Sequence, residues 1–95
     1  MSAFRLTQPA EEDVLGIWLY IAKENLVAAD RLVDRLTETF QLLADSPEIG
    51  ERMERYRAGL RSWSLENYVV YYHVTPEGIE VYRVLHGARD HRQLL

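Results

Sequence analysis

The side chains that could do chemistry lie mostly in the second half of the chain. Residues 51–95 contain seven arginines and no lysine, and the three histidines, His73, His86 and His91, lie there as well. A guanidinium binds carboxylates and phosphates through paired hydrogen bonds, and a histidine can exchange a proton near neutral pH. These residue types leave room for a local carboxylate or phosphate site in the C-terminal half.

His86 has the most informative position of the three histidines, because it lies at the end of the last predicted strand, next to Gly87. As a functional residue it would act as a general acid or base, or contact an anion. The structural alternative, which the pattern favours, is a hydrogen-bonded histidine that anchors the tail. No two histidines lie four apart on a predicted helix, so a metal site is not predicted. No cofactor is expected either.

Several arginines of the second half could meet near one end of the predicted sheet, where they would suit phosphate or carboxylate recognition. They are Arg57, Arg61, Arg83, Arg89 and Arg92. The alternative is a set of surface ion pairs with the acids Glu51, Glu54, Glu66, Glu80 and Asp90. Arg83 differs from the others because it lies within an apolar strand and needs a specific partner.

Composition argues against several classes of function. The chain of 95 residues has no cysteine, which removes disulfides and thiol nucleophiles and fits a cytoplasmic location. It has no P-loop and no GxGxxG motif, and Ser62 and Ser64 lack the surroundings of a serine nucleophile. The net charge of −4 argues against non-specific binding to nucleic acid. No apolar run reaches the length of a membrane helix, so no membrane association is expected.

Hydrophobic periodicity divides the chain into a helical first half and a stranded second half. Residues 3–7 alternate between apolar and polar and predict a short strand. Pro9 suits the first position of a helix, which we expect to end near Asn25. A second helix is predicted from about Val27 to Ala44, and so short a connection predicts an antiparallel helix hairpin.

From Gly59 the period becomes two, which predicts three strands joined as a meander, over residues 60–65, 68–74 and 79–85. Asn67 tolerates the positive φ that the first turn requires. The order of strand, helix, helix and three strands predicts an α+β domain over residues 1–95. In it, a helix hairpin packs on one face of an antiparallel sheet. The remaining residues form a polar tail with at most one helical turn.

The other face of the sheet has no obvious cover. Strict alternation places Tyr71 and Tyr72 on opposite faces. It also groups Val81 with Arg83 and Leu85 on one face of the last strand, and Tyr82 with Val84 and His86 on the other. Both faces are therefore apolar, as in a strand that is covered on both sides. We infer that a partner protein supplies the second cover; the alternative is that long Arg, Tyr and tail side chains cover this face themselves.

Several segments resemble toxins of the ParE/RelE superfamily, in order along nearly the whole chain. The most specific is Arg-Val-Leu-His-Gly-Ala-Arg-Asp at residues 83–90. The weaker ones lie at residues 9–13, 17–18, 46–50, 59–62 and 71–72. The resemblance extends to the predicted element order, and it implies the β-α-α-β-β-β fold of these toxins.

The resemblance also implies a function. Such toxins belong to type II toxin–antitoxin systems and form a hetero-oligomer with a cognate antitoxin, here a ParD-like DNA-binding protein through which the toxin would meet DNA only indirectly. Members of the ParE branch are regarded as inhibitors of DNA gyrase that block replication, and such systems serve plasmid stabilisation. Relatives in the RelE branch cleave mRNA on the ribosome with basic residues and a C-terminal Tyr or His.

This sequence favours the ParE branch. It has one lysine, Lys23, and no tyrosine after Tyr82, and its negative net charge does not suit docking into ribosomal RNA. An inhibitor of this kind needs no catalytic residue. In the RelE alternative, an mRNA endoribonuclease, the catalytic set would be Arg57, Arg61, Arg83 and His86. A non-toxic antitoxin-binding module is the third interpretation.

Under the favoured interpretation, the second half supplies the contact residues. We expect apolar contacts with the antitoxin at Leu60, Trp63, Tyr71, Tyr72 and Tyr82. We expect acidic antitoxin side chains to bind Arg61, Arg83 and Arg89. The cellular target would be contacted by His86, Arg89 and Arg92.

Overall fold

The computed structural model describes residues 2–95 and has the expected α+β architecture. Its elements in chain order are β1 (Ala3–Leu6), α1 (Gln8–Ala22), α2 (Leu26–Asp45), β2 (Glu51–Arg52), β3 (Leu60–Leu65), β4 (Tyr68–Thr75), β5 (Gly78–His86) and α3 (His91–Leu94). The two long helices, the meander and the final helical turn are confirmed. The two-residue strand β2 was not predicted, because so short a segment has no periodicity.

Side-chain caps fix where the two long helices begin. The Thr7 hydroxyl accepts the Ala10 N–H at the start of α1, and the Asn25 side chain accepts the Ala28 N–H at the start of α2. Such caps satisfy amide groups that have no partner within the helix. The two helices form a hairpin, which we call the helix layer, and the Trp18 indole N–H donates to Asp30 across it at 2.8 Å.

The sheet has the strand order β1-β5-β4-β3-β2 and is mixed rather than wholly antiparallel. Strand β1 pairs with β5 in parallel, whereas the other neighbours are antiparallel. Gly78 lies opposite Ala3 at φ 153°, where a side chain would collide with the Ala3 carbonyl oxygen. In the turn between β3 and β4, the positive φ of 53° belongs to Glu66 and not to Asn67.

The first core lies between the helix layer and one face of the sheet. Leu36, Phe40 and Leu43 of α2 pack with Val81 and Val84 of β5, and all five are buried. Val81 and Val84 share this face although they are three residues apart. The register explains this: Tyr71 pairs with Arg83 but Tyr72 pairs with Val81, so Tyr82 is a bulge. The predicted grouping of β5 side chains by strict alternation is therefore wrong beyond Val81.

The opposite face of the sheet, which we call the second face, carries Leu60, Tyr71 and Leu85. These three residues are buried, and residues of the same chain cover them: Met53 and Tyr56 from the β2–β3 connection, and Leu94 and Leu95 from the C-terminus. The expectation that a partner must cover this face is therefore wrong. Two segments of the chain itself supply the second cover, and the sequence did not predict this because both segments are mostly polar.

Among residues 2–95, no helix combines the length and the apolar character that spanning a membrane requires.

Candidate functional site

Arg83 lies on the part of β5 that no longer pairs with β1 and instead lies beside α1. Strand β1 pairs with β5 only as far as Val81, and beyond that point Asp13 of α1 approaches the strand. Arg83 Nε and Nη2 donate to the two carboxylate oxygens of Asp13 at 2.7 and 2.9 Å, and the Val84 N–H donates to Asp13 Oδ2 at 3.0 Å. The side chains of Arg83 and Asp13 are only 18% and 9% exposed, so water screens this pair little.

Arg83 also binds the C-terminus, because its Nη1 donates to the Leu94 carbonyl oxygen at 3.0 Å. The hydrogen bond to Asp13 raises the pKa of the guanidinium above its ordinary value. The expectation that this arginine needs a specific partner is confirmed, and the partner is Asp13 of the same chain. Its predicted contact with an antitoxin stays a prediction.

His91 joins the C-terminal turn to the second face. Its Nδ1 lies 2.6 Å from the Tyr71 hydroxyl and its Nε2 lies 2.8 Å from the His86 carbonyl oxygen. A carbonyl can only accept, so Nε2 carries a proton, and in the neutral ring Nδ1 then accepts from the Tyr71 hydroxyl. The His86 ring accepts the Ala88 N–H at 3.1 Å, which fits its expected structural role at the start of the tail. His86 itself remains exposed.

Tyr72 and Arg61 hold the connection between α2 and β2. The Tyr72 hydroxyl donates to the Pro47 carbonyl oxygen at 2.7 Å and accepts the Gly50 N–H at 2.9 Å. Arg61 Nη1 donates to the carbonyl oxygens of Glu48 and Gly50 at 3.1 and 2.8 Å. Burial raises the pKa of Tyr72 above its ordinary value of 10.0, because the phenolate would lose its hydration.

The five arginines predicted to meet at one end of the sheet do not form one cluster. Arg61 turns toward the carbonyls that follow α2, and Arg83 binds Asp13 at the opposite side of the sheet. Arg57 lies over the Tyr82 ring at 4.9 Å. Arg89 and Arg92 lie together in a shallow depression beside α3. The prediction of convergence fails because β4 separates β3 from β5, and Arg61 and Arg83 are bound to different elements.

A groove of about 540 Å³ separates α1 from the end of the sheet. We call it the α1–β5 groove; its lining is Glu12, Asp13, Gly16, Ile17, Tyr20, Tyr68, Val84, His86 and Arg89. It brings together two of the three residues predicted to contact a target, His86 and Arg89, whereas Arg92 lies outside it. Tyr68 and His86 meet edge to face at 5.4 Å. The lining offers aromatic rings, an exposed cation and an exposed carboxylate within one concave surface.

The residues predicted to contact an antitoxin divide by accessibility. Leu60, Tyr71 and Tyr72 are buried in the chain's own cores, and the partly buried Trp63 packs against the first core. Contacts at the first three would require the covering segments to move. Tyr82 is half-buried on the second face, between Arg57 and His73, and Arg89 is exposed. The antitoxin role of the whole set stays a prediction.

Sequence reasoning did not assign Asp13, Glu12, Tyr20 or Tyr68 to a site. No sequence pattern links Asp13 to Arg83 across the 70 positions that separate them. Within residues 2–95, no group of three or more His, Asp or Glu side chains is arranged to hold a metal ion.

Three comparisons with known proteins agree. The family described as "ParE toxin of type II toxin-antitoxin system, parDE" matches residues 4–91. The chain is 32% identical to Toxin ParE1 of Caulobacter vibrioides over 95 aligned residues, covering 97% of this chain and 96% of that protein. A solved structure described as a chromosomal ParDE toxin–antitoxin system from P. aeruginosa superposes with a TM-score of 0.75. It has 20% identity and covers 90% of this chain and 96% of that chain, a likeness of fold.

Proposed function

This chain belongs to the ParE toxin family of type II toxin–antitoxin systems, and we propose that it inhibits DNA gyrase and is held inactive by a cognate antitoxin. Replication would stop because gyrase is blocked, and the chain would hydrolyse no substrate. One observation carries the choice of gyrase inhibition over mRNA cleavage: the four residues that a ribonuclease would use are dispersed.

A ribonuclease of this fold needs an acid, a base and cations around one phosphate. Arg61 is bound to main-chain carbonyls after α2, and Arg83 is bound to Asp13 and the Leu94 carbonyl. His86 lies at the far end of β5, in the α1–β5 groove. These residues could assemble around a phosphate only by giving up their present bonds, which supports an action through surface contact.

The proposed antitoxin is a ParD-like DNA-binding protein with an acidic segment that wraps the toxin. Arg57, Arg89 and Arg92 are among the exposed cations of the second half. Together with the half-buried ring of Tyr82 they offer charge and apolar surface to such a segment. The toxin would meet DNA only through this partner, within a hetero-oligomer in the cytoplasm.

The proposed contact with gyrase is the α1–β5 groove. Its exposed guanidinium, Arg89, and the exposed His86 lie beside the rings of Tyr20 and Tyr68. Aromatic and arginine side chains are enriched among the residues that dominate protein–protein interfaces. A polar segment of gyrase can enter this groove and bind without any bond being broken.

The test is supercoiling of relaxed plasmid by purified gyrase, with and without the purified chain. We expect the wild-type chain to inhibit, and Arg89→Glu to require an about tenfold higher concentration, the loss typical of a central interface residue. The matched control is Arg31→Glu, which makes the same charge change at an exposed position on α2. It should inhibit as the wild type does.

The other outcomes are equally decisive. Unchanged supercoiling together with cleavage of mRNA on ribosomes would replace gyrase inhibition with the RelE-type activity. Unchanged supercoiling by purified gyrase, together with normal growth of a strain in which the chain is induced alone, would indicate a non-toxic binding module. Inhibition that Arg89→Glu leaves intact would retain gyrase as the target and remove the groove as its contact.

A further inference from the structure

The outward side of α1 is apolar and open. The side of the helix that packs on the core is supplied by Ala10, Val14, Ile17 and Ile21. Three large apolar residues nevertheless face away from that core, with exposed fractions of 58% for Leu15, 50% for Leu19 and 75% for Tyr20. A contiguous apolar surface on a helix favours contact with another protein surface.

Gly16 lies in the middle of this surface. A glycine within a helix is less favourable than alanine by about 1 kcal/mol. Its backbone is not in the left-handed region, and a side chain added there would meet no atom within 4 Å. Neither backbone geometry nor packing inside the chain therefore calls for a glycine. What the missing side chain provides is space for close approach by a side chain from another molecule.

The exposed residues form one stripe at helical spacing, with unlike charges at its two ends. Glu12 lies at one end and Lys23 at the other, and both are exposed. Between them lie Leu15, Gly16, Leu19 and Tyr20, at the three- and four-residue steps that share one side of a helix. An acidic end, an apolar centre and a basic end make the stripe complementary to itself in the antiparallel direction.

We propose that two copies of this chain associate through antiparallel α1 helices. A twofold axis halfway along the stripe places Glu12 against Lys23 of the second copy and Leu15 against Tyr20 of the second copy. It places Leu19 of one copy over Gly16 of the other, where the missing side chain leaves room. Each contact occurs twice, as an isologous interface requires.

Charge favours a second copy over an acidic partner as the occupant. The first half of the chain carries nine acids and four bases. Glu11, Glu24 and Asp30 lie exposed around the stripe together with Glu12. An acidic antitoxin segment would be repelled there, whereas the arginines of the second half would attract it. A second copy brings its own Lys23 to the acidic end.

The dimer should be weak, and its surface borders the α1–β5 groove. Helix α1 is about 22 Å long, and a single helix–helix contact of that length lies at the low end of specific interfaces. Glu12, Gly16 and Tyr20 belong both to the stripe and to the groove wall. Association would therefore narrow the groove, although the inference itself does not depend on gyrase being the target.

Sedimentation velocity of the full-length chain over a dilution series tests the proposal. We expect a monomer–dimer equilibrium that Lys23→Glu weakens about tenfold, because two attractive pairs become repulsive. The double variant Glu12→Lys with Lys23→Glu should restore the dimer, since it only reverses both pairs. Arg31→Glu, which carries the same charge change on α2, should leave the dimer unchanged.

Gly16→Ala provides an independent check, because it should change the stability of the monomer and the affinity of the dimer in opposite directions. It should raise the thermal stability of the monomer, because alanine is the better helix former, and weaken the dimer, because its methyl group meets Leu19 of the second copy. A chain that stays monomeric at every concentration would overturn the proposal. So would a dimer that Lys23→Glu does not weaken. A monomer whose Leu19→Glu variant loses affinity for the antitoxin would assign the stripe to that partner instead.

Discussion

The second face of the sheet and the outward side of α1 both carry large apolar or aromatic residues, but only one of them is open. On the second face, Tyr71 and Tyr82 have hydroxyl partners in the C-terminal turn, and Leu60 and Leu85 are buried. On α1, Leu19 and Tyr20 are half or more exposed. A surface rich in tyrosine and arginine can thus be closed by short polar segments, whereas a regular helix can leave apolar side chains uncovered.

The contrast separates two uses of charged residues. Arg83 has a structural role, because it binds Asp13 and the Leu94 carbonyl oxygen and so joins α1, β5 and the C-terminus. Arg89 in the α1–β5 groove and Lys23 on the stripe are exposed. We therefore expect substitutions at the first kind of position to lower stability, and substitutions at the second kind to alter binding.

The largest expected effect is at Asp13. Asp13→Ala leaves the Arg83 guanidinium and the Val84 N–H without their acceptor in a poorly hydrated place. We expect the free energy of unfolding to fall by about 2–3 kcal/mol, below the range for a fully buried pair because Arg83 keeps some contact with water. Urea unfolding measures it. The neighbouring exposed Glu12→Ala should change stability little, and equal losses for the two variants would show that the ion pair does not hold this edge.

A smaller effect is expected where the C-terminal turn meets the second face. His91→Ala removes two hydrogen bonds and leaves the buried Tyr71 hydroxyl without its acceptor. The free energy of unfolding should fall by about 1–2 kcal/mol. Gln93→Ala, at an exposed position in the same short helix, is the control and should have no effect. An unchanged midpoint for His91→Ala would mean that the turn is not docked in solution.

The smallest effect concerns alkaline pH. Burial raises the pKa of Tyr68, Tyr71 and Tyr72 above the ordinary value of 10.0. The unfolded chain then loses these protons first, so stability is fully present below about pH 10 and falls as the pH rises through the folded-state pKa values. Tyr72→Phe should flatten that decline while lowering stability at neutral pH. An equally steep decline in this variant would exclude Tyr72 as a contributor.

Much of the fold follows from local patterns, but the closure of the second face does not. The periodicity of residues 9–44 predicts both helices, and the twofold alternation after Gly59 predicts the meander. The bulge at Tyr82 leaves no mark in the alternation, so Val84 and Leu85 were assigned to the wrong faces. The covering residues Met53 and Leu94 belong to segments without hydrophobic periodicity, so their apolar contacts could not be predicted from the sequence.

The candidate site could be predicted by residue type but not by arrangement. His86 and Arg89 are three positions apart along the chain, and they do share a groove. Gly16 and Tyr20 of α1 form the opposite wall of the groove, and no sequence pattern connects this wall to His86 and Arg89. The bond between Asp13 and Arg83 likewise joins the first helix to the last strand. Pairings over such distances are set by topology, which a local pattern does not record.

Amide hydrogen exchange of the isolated chain, without any partner, tests the contrast between the two surfaces most directly. If the chain's own tail closes the second face, the amides of Tyr71 and Leu85 should exchange only through global unfolding. His91→Ala should make them exchange faster, through local opening. Rapid exchange of both amides in the wild-type chain would contradict the account, because the second face would then be open until a partner binds.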